Sequence, residues 1–194
     1  MKLREYLIII FGVAIFGFQH SGLSALRIKS YVVKKLGLKG YARLFTATSV
    51  LTLLIAVRAM NFSYWFYFFT SINRLNQLLF LAGVILAGLG VTLAAAAANV
   101  LDVSTIADMR SNRKDILVTS GIYAHIRHPL YLAVILLFGS LVLIYPFFKV
   151  TIFAVSFCCY VLIGAYLEER KLILKYGKEY YEYRKKAGFM VPKL

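Results

Sequence analysis

The sequence predicts an all-α integral membrane protein. It should have five transmembrane helices with a helix 4–helix 5 hairpin, cytoplasmic connecting segments and an interfacial C-terminal helix. Three observations predict it. Of 194 residues, 61% are hydrophobic and only 16% are charged, more apolar surface than a soluble chain of this length can hide. The apolar residues gather in runs close to the ~20 residues that cross ~30 Å of hydrocarbon. Lys and Arg alternate in density from one connection to the next. The length fits a single membrane domain over 1–194, with three spans in 1–101 and a polar-motif region, the hairpin and the tail in 102–194.

The first span runs from Tyr6 to Leu26. Met1-Lys2-Leu3-Arg4 before it resembles the start of a signal peptide, but the run is long and lacks a small-residue cleavage site, so a retained helix is expected. The second begins near Leu44, passes Val57 and extends toward the aromatic stretch Phe62 to Phe69. That stretch reads as an interfacial belt, with substrate binding as the alternative. The third is Gln77 to Leu101. It carries Gly83, Ala87, Gly88, Gly90 and Ala94 through Ala98, small residues that let backbones approach and suggest a central helix. The fourth, Leu130 to Tyr145, is short enough to need a thinned bilayer or interfacial flanks. Pro146 ends it, and the fifth runs from Phe147 to Leu167. Proline cannot continue a helical ladder, so the two should form an antiparallel hairpin. The hairpin would return Glu168 and Glu169 toward His128 and Tyr131. In the tail, Leu172, Tyr176, Tyr180, Tyr183 and Ala187 recur at spacings of three and four, the pattern of an amphipathic helix on a membrane surface. Gly177 marks a bend in it.

Charge gives the orientation. Eighteen Lys and Arg fall in the first connection (Arg27 to Arg43), the third (Asp102 to Pro129) and the tail from Glu168. Four fall at the N-terminus and in the other two connections, with Arg58 assigned to the second helix. The positive-inside rule then puts the N-terminus outside, and the bases, the motif region and the C-terminus in the cytoplasm. A net charge of +15 would suggest nucleic acid in a soluble protein, but no groove-reading motif is present. Bases beside apolar runs point instead to anionic membrane lipids. Cys158 and Cys159 are adjacent on a helix, where a mutual disulfide would be strained, and no metal-ligand spacing exists. They read as small apolar residues.

The residues that carry chemistry are Gly121-Ile122-Tyr123-Ala124-His125-Ile126-Arg127-His128-Pro129-Leu130-Tyr131 and Glu168-Glu169. Such groups near a bilayer call for a specific explanation, and a site for a polar, charged cofactor serving an apolar substrate supplies one. Ile116 to Gly121 is either a packed connector or the lining of an adenine pocket. His125, Arg127 and His128 precede a helix start whose free N–H groups suit a carboxylate-bearing ligand; alternatively Arg127 and His128 snorkel to headgroups. Glu168 and Glu169, read as ending the fifth helix, gain nothing from its dipole. They call for a cationic partner, which is either Arg127 or Arg170, or a bound sulfonium or ammonium. Gln19-His20-Ser21 in the first helix either bonds a neighbouring helix or lines a cavity.

Leu117-Val118-Thr119-Ser120-Gly121-Ile122-Tyr123, Arg127-His128-Pro129-Leu130-Tyr131, Glu168-Glu169 and Gly177-Lys178-Glu179-Tyr180-Tyr181-Glu182-Tyr183 together resemble the isoprenylcysteine carboxyl methyltransferase family. The wider group includes phospholipid N-methyltransferases. Gln19-His20-Ser21 also resembles a first-helix motif of bacterial relatives that include a methanethiol S-methyltransferase group. The resemblance implies a membrane-embedded enzyme using S-adenosylmethionine, with no metal. It implies a cofactor pocket from Ile116, Leu117, Val118, Tyr123, His125, His128, Pro129, Leu130, Tyr131 and Glu168, and catalytic roles for Glu168, Glu169 and Arg170. Arg170 is the nearest candidate for the family's basic residue beside the acceptor carboxylate, which has no counterpart at its usual place here. The implied acceptor is an isoprenylcysteine-type carboxylate entering from the bilayer. It is already ionised at pH 7, so positioning and desolvation would suffice. An amine or thiol acceptor would draw on Glu169 or His125 as base. A transporter or scaffold without catalysis is the alternative of another class.

Overall fold

The computed structural model describes residues 2–70, 76–100 and 117–193. Their regular elements are helical: α1 (Lys2–Ser24), α2 (Leu26–Ala59), α3 (Tyr67–Thr70), α4 (Gln77–Val100), a 3₁₀ turn (Gly121–Ala124), α5 (Pro129–Ile144), α6 (Phe148–Tyr176) and α7 (Lys178–Lys186). Among the described residues the extended pairing is a single parallel bridge, Ile126 with Gly188. Helices α1, α2, α4 and α6 are long and apolar enough to cross a membrane, while α5 is apolar but only 16 residues long.

Two expectations are corrected here. The first connection, expected between Leu26 and Leu44, is helical. α2 starts at Leu26 and is broken only at Gly37, whose φ of 68° is open to glycine without strain. Lys, Leu, Arg and Ala are all good helix formers, so the charge of that stretch reports what it faces and says nothing about its backbone. The fifth span does not end at Glu168. α6 continues for two further turns to Tyr176 and stops where Gly177 adopts φ 53°. The dipole argument applied to the two acids therefore falls away.

The chain divides into two units, Met1–Ile85 with Phe138–Tyr160, and Leu86–Leu137 with Val161–Leu194. In the first, Ile9, Val13, Ala56, Met60, Val150, Phe153 and Phe157 form the buried core. α1 and α2 are antiparallel. A Cβ on Gly12 would come within 3.1 Å of the Ala56 backbone, and Tyr41 donates to the Leu23 carbonyl at 3.3 Å. Between these ends lies a ladder of side chains. Gln19 donates to Thr48 at 2.7 Å and accepts from Thr52 at 3.1 Å, and His20 Nδ1 meets the Ser49 hydroxyl at 3.2 Å. Ser21 reaches the Tyr160 hydroxyl at 3.1 Å. The polar trio of the first helix thus bonds neighbouring helices, as polar groups in hydrocarbon must. At the other end, Lys149 pairs with Glu5 at 2.7 Å. That pair puts the start of α1 and the Tyr145–Phe147 turn at one end of the unit. Aromatic rings close the turn: Tyr67 donates to the Ile144 carbonyl at 2.6 Å, Tyr145 donates to the Trp65 carbonyl at 2.9 Å, and Phe62 lies edge-on to Tyr145.

α4 is not a central helix. Its buried positions are Gly83, Gly90 and Ala97, seven residues apart, and the rest is half-buried or exposed. The small residues serve one narrow stripe. In the first unit Gly83 lies against Ile144, and in the second Gly90 lies against the Ala133 carbonyl and Leu137. Gly88 has nothing within 4 Å of a built Cβ. Gly83→Val should therefore lower stability by about 1–3 kcal/mol through overpacking, whereas Gly88→Val should leave it unchanged. Thermal unfolding of both variants in one detergent reads the difference.

Candidate functional site

The second unit builds its site from three short segments. Gly177 turns the chain, and α7 buries Tyr180, Tyr183 and Ala187 against Leu117, Leu172, Ile173 and Tyr176. Protein therefore already covers the tail's apolar face. Beyond α7 the backbone runs beside residues 125–128. Gly188 N–H donates to the His125 carbonyl at 2.9 Å, Arg127 N–H to the Gly188 carbonyl at 2.8 Å, and His128 N–H to the Phe189 carbonyl at 3.1 Å. A side chain at Gly188 would collide with the Val191 carbonyl. The Tyr183 hydroxyl donates to the Tyr123 carbonyl at 2.6 Å. The tail thus straps the segment that leads into α5.

At the centre is Glu169, buried on α6. Its Oε1 accepts from Arg127 Nε at 2.6 Å and from the Tyr180 hydroxyl at 3.2 Å. Its Oε2 lies 3.7 Å from Arg184. Arg127 also donates to the Ala187 carbonyl and lies over the Phe189 ring at 5.8 Å. Burial, with Glu169 adding to it, raises the Tyr180 hydroxyl well above the usual phenol range, so it stays a donor. Burial pushes Tyr183 up to about 12.

His128 is 3% exposed. Its ring packs against Tyr131 and Phe189, with centroids 5.6 and 4.8 Å away. Nε2 sits 3.6 Å from Glu169 Oε1, beyond hydrogen-bond reach, and has no partner among the described residues. Burial pushes the imidazole below its ordinary value, outweighing the opposite pull of Glu168 and Glu169, so the ring is neutral near pH 7. A buried polar atom with no partner is rare and is a natural place for a ligand.

Of the residues expected at the site, Glu169, His128, Pro129 and Tyr131 come together. A Cβ built on Gly164 would lie 3.4 Å from the Tyr131 ring. Glu168 is half-buried, and its charge acts on His128. Tyr123 is buried and contributes its carbonyl. Leu117, Val118 and Leu130 are half-buried, with Leu117 on the tail cluster. His125 is exposed and takes part through its backbone. Arg170 is not brought in: it is exposed and lies over Tyr166, its Nη2 3.4 Å from the hydroxyl. Ile116 lies outside the described residues, as does the third connection up to that point. Sequence reasoning missed Tyr180, Tyr183, Arg184 and the 187–189 strap. Its one signal was the run Gly177 to Tyr183, whose tyrosines were assigned to a membrane-facing stripe.

A family model described as phospholipid methyltransferase matches residues 78–179, from the start of α4 into α7. A methanethiol S-methyltransferase of Pseudomonas deceptionensis is 33% identical over 78 residues, covering 39% of this chain and 28% of that protein. Another, from Pseudomonas sp. (strain GM41(2012)), is 35% identical over 74 residues, covering 37% and 27%. The chain thus matches less than a third of the length of either relative. No solved structure matches.

Glu169→Ala should cost about 3–5 kcal/mol, because Arg127 would remain buried without its countercharge. Hydrogen exchange across 178–190 should rise with it, while Glu168→Gln should change neither quantity. The folded-state value of His128 lies below the 6.5 of a free imidazole, so the unfolded chain takes up its proton first as pH falls. Stability present above pH 6.5 is lost as pH falls through the folded value, and His128→Asn should remove that acid limb. Tyr183 is raised from 10.0 to about 12, so its contribution is complete below pH 10 and lost as pH rises toward 12. Tyr183→Phe should flatten the alkaline limb. Unfolding midpoints against pH measure both.

Proposed function

Since the chain belongs to the phospholipid methyltransferase family, we propose that it is a membrane-embedded methyltransferase that uses S-adenosylmethionine on a small or lipophilic nucleophile. The observation that carries the reading is the buried, partnerless Nε2 of His128 at the start of α5, with the half-buried Glu168 close enough to act on it electrostatically.

The residues present fit such a donor. Bound there, it supplies a methyl group made electrophilic by an adjoining sulfonium. Glu168 offers a carboxylate to an ammonium or sulfonium charge. The opening turn of α5, with Pro129 at its head, offers the partial positive charge of a helix start to a carboxylate. Leu117 and Val118 offer apolar surface and backbone to a base. Glu169 is a positioning residue: committed to Arg127 and Tyr180, it holds the 126–128 backbone at the head of α5. Catalysis then consists of positioning in a water-poor site.

The positions of the cations bear on the acceptor. Arg127 and Arg184 face Glu169, and Arg170 lies on Tyr166. Arg127 and Arg184 are thus engaged by Glu169, and Arg170 is not brought to it. A neutral or protonated nucleophile therefore fits better, and the named activity of the two relatives makes a thiol the first choice. Methylation forms the new S–CH₃ bond as the donor C–S bond breaks, and the thiol proton passes to Glu168 or to solvent. An isoprenylcysteine-type carboxylate and a phospholipid amine stand second. We read the membrane part as five spans, with α5 and α6 as a hairpin, the N-terminus outside and the site on the cytoplasmic side, where the charge alternation puts it. The acceptor arrives laterally from the bilayer.

Calorimetry in detergent should detect S-adenosylmethionine binding that Glu168→Gln weakens by ten-fold or more without changing the unfolding midpoint; no binding by the intact protein would remove the proposal. Labelled methyl transfer should favour a small thiol over phosphatidylethanolamine and N-acetyl-S-farnesylcysteine. With a thiol the rate should climb with pH toward the thiol's pKa of about 8.5. A rate flat above about pH 5, with the farnesylcysteine preferred, would restore the carboxylate as acceptor.

A further inference from the structure

The first unit contains a helical segment that its span does not need. At 1.5 Å per residue, the 34 residues of α2 reach about 50 Å, whereas the hydrocarbon is about 30 Å thick. The stretch after Gly37, ending at Ala59, is long enough by itself to cross. Gly37 breaks the helix between that stretch and residues 26–36. Tyr41 already lies at the far end of α1, its hydroxyl meeting the Leu23 carbonyl. Residues 26–36 precede that contact, with Lys29 reaching back over the Tyr41 ring at 5.6 Å.

This segment has two chemically different faces. At 100° per residue, Ile28, Val32 and Leu36 fall on one stripe, Arg27, Ser30 and Lys34 fall on the other side, and Lys35 borders the apolar stripe next to Ile28. Ile28 is 44% exposed and Leu36 56% exposed, so protein does not cover the apolar stripe. Arg27, Lys34, Lys35, Lys39 and Arg43 are all exposed. Lys35 lies over the Tyr31 ring at 4.7 Å, which holds one ammonium at the level of an aromatic ring. The first unit is poor in acids. The only acid in Met1–Ile85 and Phe138–Tyr160 is Glu5, and it pairs with Lys149.

We infer that residues 26–39 form an in-plane arm that seats Ile28, Val32 and Leu36 among acyl chains and binds anionic phospholipid headgroups through Arg27, Lys34, Lys35 and Lys39. The hinge at Gly37 lets the arm lie flat while the rest of α2 crosses. Free apolar surface, a cluster of exposed bases and a unit with Glu5 as its one acid select an anionic lipid surface as the partner. The assignment is independent of the methyl-transfer reading.

The test uses the full chain in vesicles carrying spin-labelled lipid. Spin-labelled phosphatidylglycerol should associate about three-fold more strongly than phosphatidylcholine. The preference should fall by at least half in Lys34→Gln/Lys35→Gln/Lys39→Gln and in 0.5 M NaCl. It should survive largely intact in Lys178→Gln/Lys185→Gln/Lys186→Gln, which discharges the tail instead. If the arm variant keeps the preference, or the tail variant alone loses it, the assignment is overturned. A second measurement stands if the triple variant fails to fold. Leu36→Trp in a Trp65→Phe background should be quenched by lipids brominated near the headgroup end of the acyl chain. Stronger quenching by bromines near the chain terminus, or none, would place the arm elsewhere and remove it.

Discussion

Arg127 and Glu169 face each other across 2.6 Å with side chains only 6% and 9% exposed. Ionic groups that deep are expensive to desolvate, and an isolated pair often repays little more than that penalty. Here the carboxylate also accepts from Tyr180, and the guanidinium also donates to Ala187. One pair therefore joins four stretches of the second unit: the approach to α5, the body of α6, the tail helix and the strap beyond it. Remove either charge and the other is stranded. The positions of His128, Tyr183 and the head of α5 all follow from this knot.

The knot also divides labour between two neighbouring acids. Successive residues on a helix point about 100° apart. If Glu169 faces Arg127, then Glu168 must face elsewhere, and it is half-buried within electrostatic range of His128. Arg170, one step further round, leaves the cluster and rests on Tyr166. Two adjacent carboxylates therefore stand in different surroundings, one bonded to Arg127 and the other half-buried near His128. Among the described residues, Arg127 and Arg184 face Glu169 while Arg170 lies on Tyr166.

The first unit obeys a different constraint. Hydrocarbon gives helices no hydrophobic reason to associate, so packing and hydrogen bonds must do it. Gln19 bridging Thr48 and Thr52, and His20 against Ser49, show the second device. Gly12 against Ala56 shows the first. α4 needs only a stripe of small residues because lipid can cover the rest, which is why richness in glycine and alanine misled the expectation of a central helix.

The sequence alone determined the long apolar helices, the Pro146 turn, the bend at Gly177 and the two polar motifs that meet in the Arg127–Glu169 cluster. The bilayer writes span length directly into composition, and Pro and Gly act on the backbone at their own positions. It could not decide whether 27–43 was loop or helix, because charge constrains surroundings and leaves the backbone free. It left Arg127 and Arg170 equally eligible as partners of the acids. It took Tyr180 and Tyr183 for membrane-facing residues, since periodicity identifies an apolar face without saying what covers it. Those choices depend on helix rotation and on contacts between residues 42 and 60 positions apart. Only the folded chain holds such residues close enough for Coulomb and hydrogen-bond energies to choose among them.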